Sequence, residues 1–303
     1  MSQPQIPVPE RVWDGRARLG EGPVWVPTLG AVLFVDIHAG YLYRHDVADG
    51  GTRGWPLPEA CCWLVARADG DGFLAGLRSR IVHLRLHEHG PEIVAEVAKP
   101  EPHRPGNRFN DAKADPAGRV WAATMDDAER EPTGSLYRID DAGVTVVDTG
   151  YVVSNGPALS PDGRTLYHTD SLARTIYAFD LGADGRLSNK RVHIRVDSSE
   201  GGPDGMTCDA EGGLWVAHFG GSCLSRFLPD GRRDIRVPLP ARRVTSCTFA
   251  GEALTDLYIT TASLGLDDDA GAGGGLYRIR PGVRGLPAAC FGTPIDNLTE
   301  GTQ

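Results

Sequence analysis

One stretch of this chain comes round several times, and that repetition limits the fold more than any other feature. Asn110-Asp111-Ala112-Lys113-Ala114-Asp115-Pro116-Ala117-Gly118-Arg119-Val120-Trp121 leads into Gly134-Ser135-Leu136-Tyr137-Arg138. Asn155-Gly156-Pro157 opens a similar stretch, which runs through Pro161-Asp162-Gly163 to Tyr167 and then Thr175-Ile176-Tyr177. Asp204-Gly205-Met206 opens a third, which ends at Gly212-Gly213-Leu214-Trp215. Fainter copies begin near Glu21, Cys62 and Cys247. Each reads as a short strand, a turn of Asp, Pro and Gly, a strand with an aromatic, and commonly a third strand of the Leu-Tyr-Arg kind. The aromatics fall at Phe34, Phe73, Trp121, Tyr167, Trp215 and Tyr258, 39 to 48 residues apart.

Units of this length, each three or four short strands, have the blade period of a β-propeller. Apolar alternation at period two, as in Val144, Val146 and Tyr151-Val152-Val153, supports strands. The sequence contains no convincing amphipathic helix of three turns, so two α/β domains are excluded. The expected fold is all-β: a single six-bladed β-propeller domain over 1–303, with repeats near 19–50, 61–90, 108–143, 154–185, 203–231 and 246–285. A strand within 9–18 is expected to complete the last blade and remove the open sheet edges. The polar tail from Asp296 to Gln303 is expected to fray.

Composition removes several classes of function. The chain has 39 Gly and 22 Pro, which fits many tight turns. It carries 31 Lys and Arg against 40 Asp and Glu, a net charge of −9, and has no basic stretch able to track a phosphate backbone. Nucleic acid is therefore not an expected partner. No apolar run reaches the roughly 18–20 residues that span a bilayer, so no membrane association is expected. Met1 to Pro7 has neither a basic head nor an apolar core, so no signal peptide is read there. The expectation is a cytoplasmic monomer or small homo-oligomer whose six cysteines are reduced thiols.

Counting back eleven to thirteen residues from each aromatic reaches Glu21, Cys62, Asn110, Asn155, Asp204 and Cys247. In a propeller the first strand of each blade lines the central channel, so these positions form a ring. Four polar side chains near a packed axis need compensation. Converging oxygen ligands suit a hard divalent cation, Ca²⁺, Mg²⁺ or Mn²⁺, with Zn²⁺ or Fe²⁺ also open. The alternative is that each one caps a turn at a strand edge. His87-Glu88-His89 is expected at a solvated edge, and His168 and His218 as structural residues. No G-x-S-x-G elbow and no H-E-x-x-H motif occurs, which argues against a serine-triad hydrolase or a zincin.

The spellings Leu19-Gly20-Glu21-Gly22-Pro23, Arg108-Phe109-Asn110-Asp111, Ser154-Asn155-Gly156-Pro157 and Gly202-Pro203-Asp204-Gly205-Met206 sharpen this reading. In that order they resemble the motifs of the gluconolactonase, regucalcin (senescence marker protein) and luciferin-regenerating family, over roughly residues 10–295. The resemblance implies a six-bladed propeller. It implies that Glu21, Asn155 and Asp204 hold one divalent metal ion, with Asp204 also the general base. Arg108 and Asn110 would contact substrate hydroxyls, with Asp111 beside them. A further substrate contact would fall in Asp126-Asp127-Ala128-Glu129, where loop length departs from the family's pattern and no single residue is fixed. The implied function is metal-dependent hydrolysis of a sugar-acid lactone such as xylono-, arabinono- or gluconolactone. The alternatives are a non-catalytic calcium-binding regulator and an ester or organophosphate hydrolase on the same scaffold.

Overall fold

The computed structural model describes residues 6–265 and 271–292, so the tail from Asp296 lies outside the described residues. Among the described residues the only helical elements are two single turns, Pro27–Leu29 and Ser198–Glu200. Everything else regular is strand. β1 is Glu10–Trp13. A first four-stranded antiparallel sheet follows, made of β2 (Gly20–Val26), β3 (Ala31–Asp36), β4 (Tyr41–Asp46) and β5 (Thr52–Pro56). The second contains β6 (Cys61–Ala66), β7 (Phe73–Leu77), β8 (Ile81–His87) and β9 (Gly90–Ala98). The third contains β10 (Asn107–Ala114), β11 (Val120–Asp126), β12 (Gly134–Asp140) and β13 (Gly143–Tyr151). The fourth contains β14 (Ser154–Leu159), β15 (Thr165–Asp170), β16 (Thr175–Leu181) and β17 (Leu187–Arg195).

The rest of the chain corrects the expectation of six separate blades. β18 (Gly202–Cys208), β19 (Leu214–Phe219), β20 (Cys223–Phe227) and β21 (Arg233–Pro238) form one run of strands. β22 (Arg243–Ala250), β23 (Asp256–Ala262) and β24 (Leu276–Ile279) form another, and β1 pairs with β24. These eight strands make a single sheet, so four sheets stand alone rather than six. The join is one bridge pair, Phe219 with Arg243, where the guanidinium lies 5.1 Å from the Phe219 ring centroid. Attraction between the cation and the ring face holds the two strand ends together. The arrangement is that of an all-β propeller: β2, β6, β10, β14, β18 and β22 touch one another in a closed cycle.

The six aromatics expected on second strands lie on β3, β7, β11, β15, β19 and β23. They are buried between sheets, whereas the outermost strands, such as β5 and β17, are largely exposed. Two buried carboxylates fix the turns that lead into the tryptophan strands. Asp115 accepts hydrogen bonds from Ala117 N at 2.9 Å, Arg119 Nε at 2.7 Å and Trp121 Nε1 at 2.9 Å. Asp209 accepts from Gly213 N at 2.8 Å, Trp215 Nε1 at 2.9 Å and Arg226 Nε at 2.7 Å. A carboxylate supplied with this many donors is stable away from water.

After β24 the chain crosses the face that carries these turns. Gly285 N donates to Leu254 O and Ala210 N to Arg284 O, both at 2.8 Å. Seven residues on, Phe291 pairs with Ala66 and Ala68, and Gly292 N donates to Gly118 O at 2.9 Å. Segment 284–292 thus straps the β18–β19 and β22–β23 turns to the β6–β7 and β10–β11 turns on the far side of the ring.

Candidate active site

Each first strand is broken by an irregularity at its singled-out residue or, in β22, just before Cys247. Register shifts fall between Glu21 and Val24, Cys61 and Trp63, Phe109 and Ala112, Asn155 and Ala158, Pro203 and Met206, and Val244 and Ser246. A bulge re-aims side chains that would otherwise alternate across the sheet. Gly22 and Gly156 serve this geometry, with φ of 54° and 60°, a region costly for residues with a Cβ. At Gly156 an added Cβ would also stand 2.4 Å from the Met206 side chain.

The bulges gather three carboxyl groups, Glu21, Asp111 and Asp204, each buried. Glu21 accepts from Gly22 N at 2.8 Å and Asp111 from Ala112 N at 2.7 Å. Among the described residues no side-chain hydrogen bond or ion pair reaches any of the three. Burial, then the nearby Asp111 charge, pushes the Glu21 carboxyl up to about 8. Burial, then Glu21 and Asp111, raises Asp204 well above the usual carboxylate range, and burial raises Asp111. Burial and mutual repulsion thus outweigh the opposing charges of Arg108 and Lys113 and disfavour ionisation of the three acids.

Beside them runs a chain of hydrogen bonds that spans three sheets. Arg108 Nε donates to Asp127 Oδ1 at 2.8 Å, and the Arg108 guanidinium also donates to Asn110 Oδ1. Asn110 Nδ2 donates to Asn155 Oδ1 at 2.8 Å and to Ser154 O at 2.7 Å. Asn155 Nδ2 donates to Ser171 Oγ at 2.9 Å, and Ser171 Oγ to Pro203 O at 2.6 Å, next to Asp204. Hydrogen bonds thus join Arg108, Asn110 and Asn155, while the charges of Glu21, Asp111, Asp204 and Arg108 act on one another. Arg108 is buried, and its ion pair is with Asp127 rather than with the adjacent Asp111.

Three participants were not singled out by sequence reasoning. Asp127 lies in the loop whose match was left open, and it is clamped by Arg108 and by Arg78 at 2.8 Å. The signal was its place two residues past Thr124-Met125, but only the fold shows which carboxylate turns inward. Ser171, just past β15, has no motif of its own. His38, in the turn after β3, has its pKa lowered by desolvation and then by the Arg108 charge. Cys62 closes the ring beside Arg108, and burial pushes its thiol up to about 11. The histidines weighed earlier lie elsewhere. His87 is exposed and bonds Glu92 at 2.8 Å, and His168 is buried edge-on against Tyr151. His218 Nδ1 bonds Glu200 O at 3.0 Å.

Glu21 and Asp204 can offer carboxylate oxygens to a cation, and Asn155 a carboxamide oxygen that accepts one hydrogen bond. An all-oxygen set with two carboxylates suits a hard divalent ion. Among the described residues no three His, Cys, Asp or Glu side chains are placed to hold a metal by themselves, so the set depends on the asparagine.

Known proteins resemble this chain in sequence and in fold. Residues 19–263 match the model of the SMP-30/gluconolactonase/LRE-like region. The chain is similar to regucalcin of Gallus gallus, with 35% identity over 295 residues, 93% of this chain and 97% of that one. It is similar to the pentonolactonase XacC of Haloferax volcanii, with 34% identity over 287 residues, 91% of this chain and 96% of that one. Its fold is similar to a solved luciferin-regenerating enzyme, with a TM-score of 0.90 and 30% identity, covering 95% of this chain and 100% of that one.

Proposed function

The chain belongs to the SMP-30/gluconolactonase/LRE-like family, and on that premise we propose that it hydrolyses a sugar-acid lactone with the help of one divalent cation held by Glu21, Asn155 and Asp204. The observation that carries this reading is the buried trio Glu21, Asp111 and Asp204, which among the described residues receives no side-chain hydrogen bond or ion pair and stays raised despite the more distant charges of Arg108 and Lys113. We also read the ring as six blades in one domain, counting the two halves of the eight-stranded sheet separately. The closed cycle of six first strands supports that count.

A bound divalent ion would supply Lewis acidity toward the lactone carbonyl. The protein's own groups do the rest. Asp204 takes the proton of the attacking water. Arg108, whose Nε is held by Asp127 and whose Nη1 is held by Phe109 O and Asn110, offers its Nη2 to the substrate's hydroxyls. Asn110, fixed through both its carboxamide atoms, sets the distance between that guanidinium and Asn155.

A solved regucalcin of Agrobacterium tumefaciens is described as a calcium-binding protein, and this favours a second reading, a cation-binding protein without turnover. One experiment separates the two. Cation-free protein is assayed against 1,4- and 1,5-lactones of pentonic and hexonic acids with each divalent ion. Pentonolactones come first because one relative is named for them. Turnover that needs a cation and is abolished in Asp204→Asn is the expected result. A variant that keeps more than a tenth of the wild-type kcat would remove Asp204 from the chemistry.

A further inference from the structure

Behind the site residues, on the side of the strap, the axis opens into a cavity of about 620 Å³. Its wall is made by the residues that follow the site in each first strand: Val24 after Glu21, Lys113 after Asp111, Leu159 after Asn155 and Thr207 after Asp204. Strap residues Leu286 and Pro287 line it as well. Glu21, Arg108, Asn110, Asn155 and Asp204 do not line it, and Asp111 alone borders both spaces. The cavity is therefore distinct from the mouth where the hydroxyl-binding groups converge.

Its chemistry is also different. Val24, Leu64, Val65, Leu159, Phe249 and Leu286 present hydrocarbon, which offers nothing to a polyol. Among them stands one cation, Lys113, half-buried on β10. Among the described residues no hydrogen bond or ion pair engages its amine. Thr207, Ser246 and Thr248 add hydroxyl donors on neighbouring strands. The Lys113 charge acts on Asp111 and Glu21 from beyond ion-pair range, so among the described residues its ammonium has no direct carboxylate contact, and an anion that reaches it from the apolar side supplies one. A cavity of this size lies within the roughly 300–1,000 Å³ typical of ligand sites, which are mainly apolar with a few polar groups that fix orientation.

We propose that this cavity is a second ligand site, which takes a small amphipathic carboxylate with its head on Lys113 and its alkyl chain along the apolar wall beneath the strap. The occupant is neither the sugar lactone nor its aldonate product, because both carry hydroxyls along their whole length. Hydrocarbon walls would leave those hydroxyls unpaired.

The probe is octanoate, measured by isothermal titration calorimetry on the full chain, with octan-1-ol as the uncharged match. Octanoate is expected to bind at least tenfold tighter than octanol. Lys113→Met should bring octanoate down to the level of octanol and leave octanol unchanged, whereas Lys113→Arg should keep most of the difference. Trp63 borders the cavity, so a bromine-bearing analogue of octanoate should quench tryptophan fluorescence with the same affinity. Equal binding of octanoate and octanol by the wild type, or no binding, overturns the proposal even if Lys113→Met fails to fold. Binding that survives Lys113→Met overturns it too, as does octanoate acting as a simple competitor of lactone at the mouth. A chain that turns over no lactone yet binds octanoate through Lys113 would reject the lactonase reading and leave this site standing.

Discussion

Two groups of buried carboxylates sit a few residues apart in the same repeats and are treated in opposite ways. Asp209 is saturated: two backbone amides, an indole and a guanidinium donate to it. Asp115 has the same kind of surroundings. Asp204, five residues before Asp209, has no side-chain donor among the described residues, and neither Glu21 nor Asp111 has one. A buried charge supplied with donors serves the fold; one left short of them is held in readiness for something else. The repeat thus carries a structural acid at the end of its first strand and a functional one at the start, and only their partners tell them apart.

The strongest way to break this comparison is to remove an acid from the saturated group. Asp209→Ala leaves Trp215 Nε1 and the Gly213 amide without an acceptor, although Arg226 keeps Asp234 and Glu211, and should cost about 3 kcal/mol of stability, read as the urea midpoint. Asp111→Asn, by contrast, should leave the cation-free protein as stable as the wild type or more so. If both variants lose the same stability, the two groups do not differ as described.

Next in size is the effect of cation and pH on the unsaturated group. Glu21 has a folded-state pKa of about 8 against 4.5, so its contribution to stability is full below 4.5 and lost as pH rises through about 8. Asp204 and Asp111 shift in the same direction. With chelator present, the melting temperature should therefore fall between pH 6.5 and 8.5. A divalent ion at one hundred times its Kd should add about 2.7 kcal/mol and flatten that slope. A pH-independent melting curve that ignores added cation would show that Glu21, Asn155 and Asp204 hold none.

Smaller effects are expected along the hydrogen-bond chain. Arg108→Ala should lower kcat/KM for hydroxylated lactones by one to two decades, about 1.4–2.7 kcal/mol, and barely change turnover of an unsubstituted lactone. Equal losses on both substrates would point to a collapsed site. Smallest is Asp127→Asn, which keeps a hydrogen-bond acceptor but loses the charge that faces Arg108 and Arg78. It should raise KM by roughly threefold to tenfold, under about 1.4 kcal/mol, and leave kcat near wild type. A fall in kcat at constant KM would give Asp127 a part in the chemistry itself.

The strand order and the second-strand aromatics were legible because period and alternation are local properties of a sequence. The convergence of Glu21, Asn110, Asn155 and Asp204 followed from superposing the repeats, since equivalent positions on a ring must face one axis. The bulges were not legible, because register depends on the partner strand. Nor was the role of Asp127: Asp126 beside it caps its own loop by accepting from Arg130 N and Glu131 N, and sequence alone could not say which acid turns inward. The merger of the last two sheets rests on one pair, Phe219 with Arg243, in an otherwise ordinary linker. Lys113 looked like one more strand residue until the cavity showed what it faces.

The pairing of β1 with β24 has a consequence for synthesis. Glu10 meets Arg278, 268 positions further along the chain. At roughly 5–20 residues per second, β1 waits on the ribosome for roughly a quarter of a minute to a minute before its neighbour exists. Throughout that time it is a bare strand edge, open to pairing with any nascent chain. Its first two residues, Glu10 and Arg11, are charged, and charge on an edge is what keeps such a strand from choosing a stranger before its own partner is made.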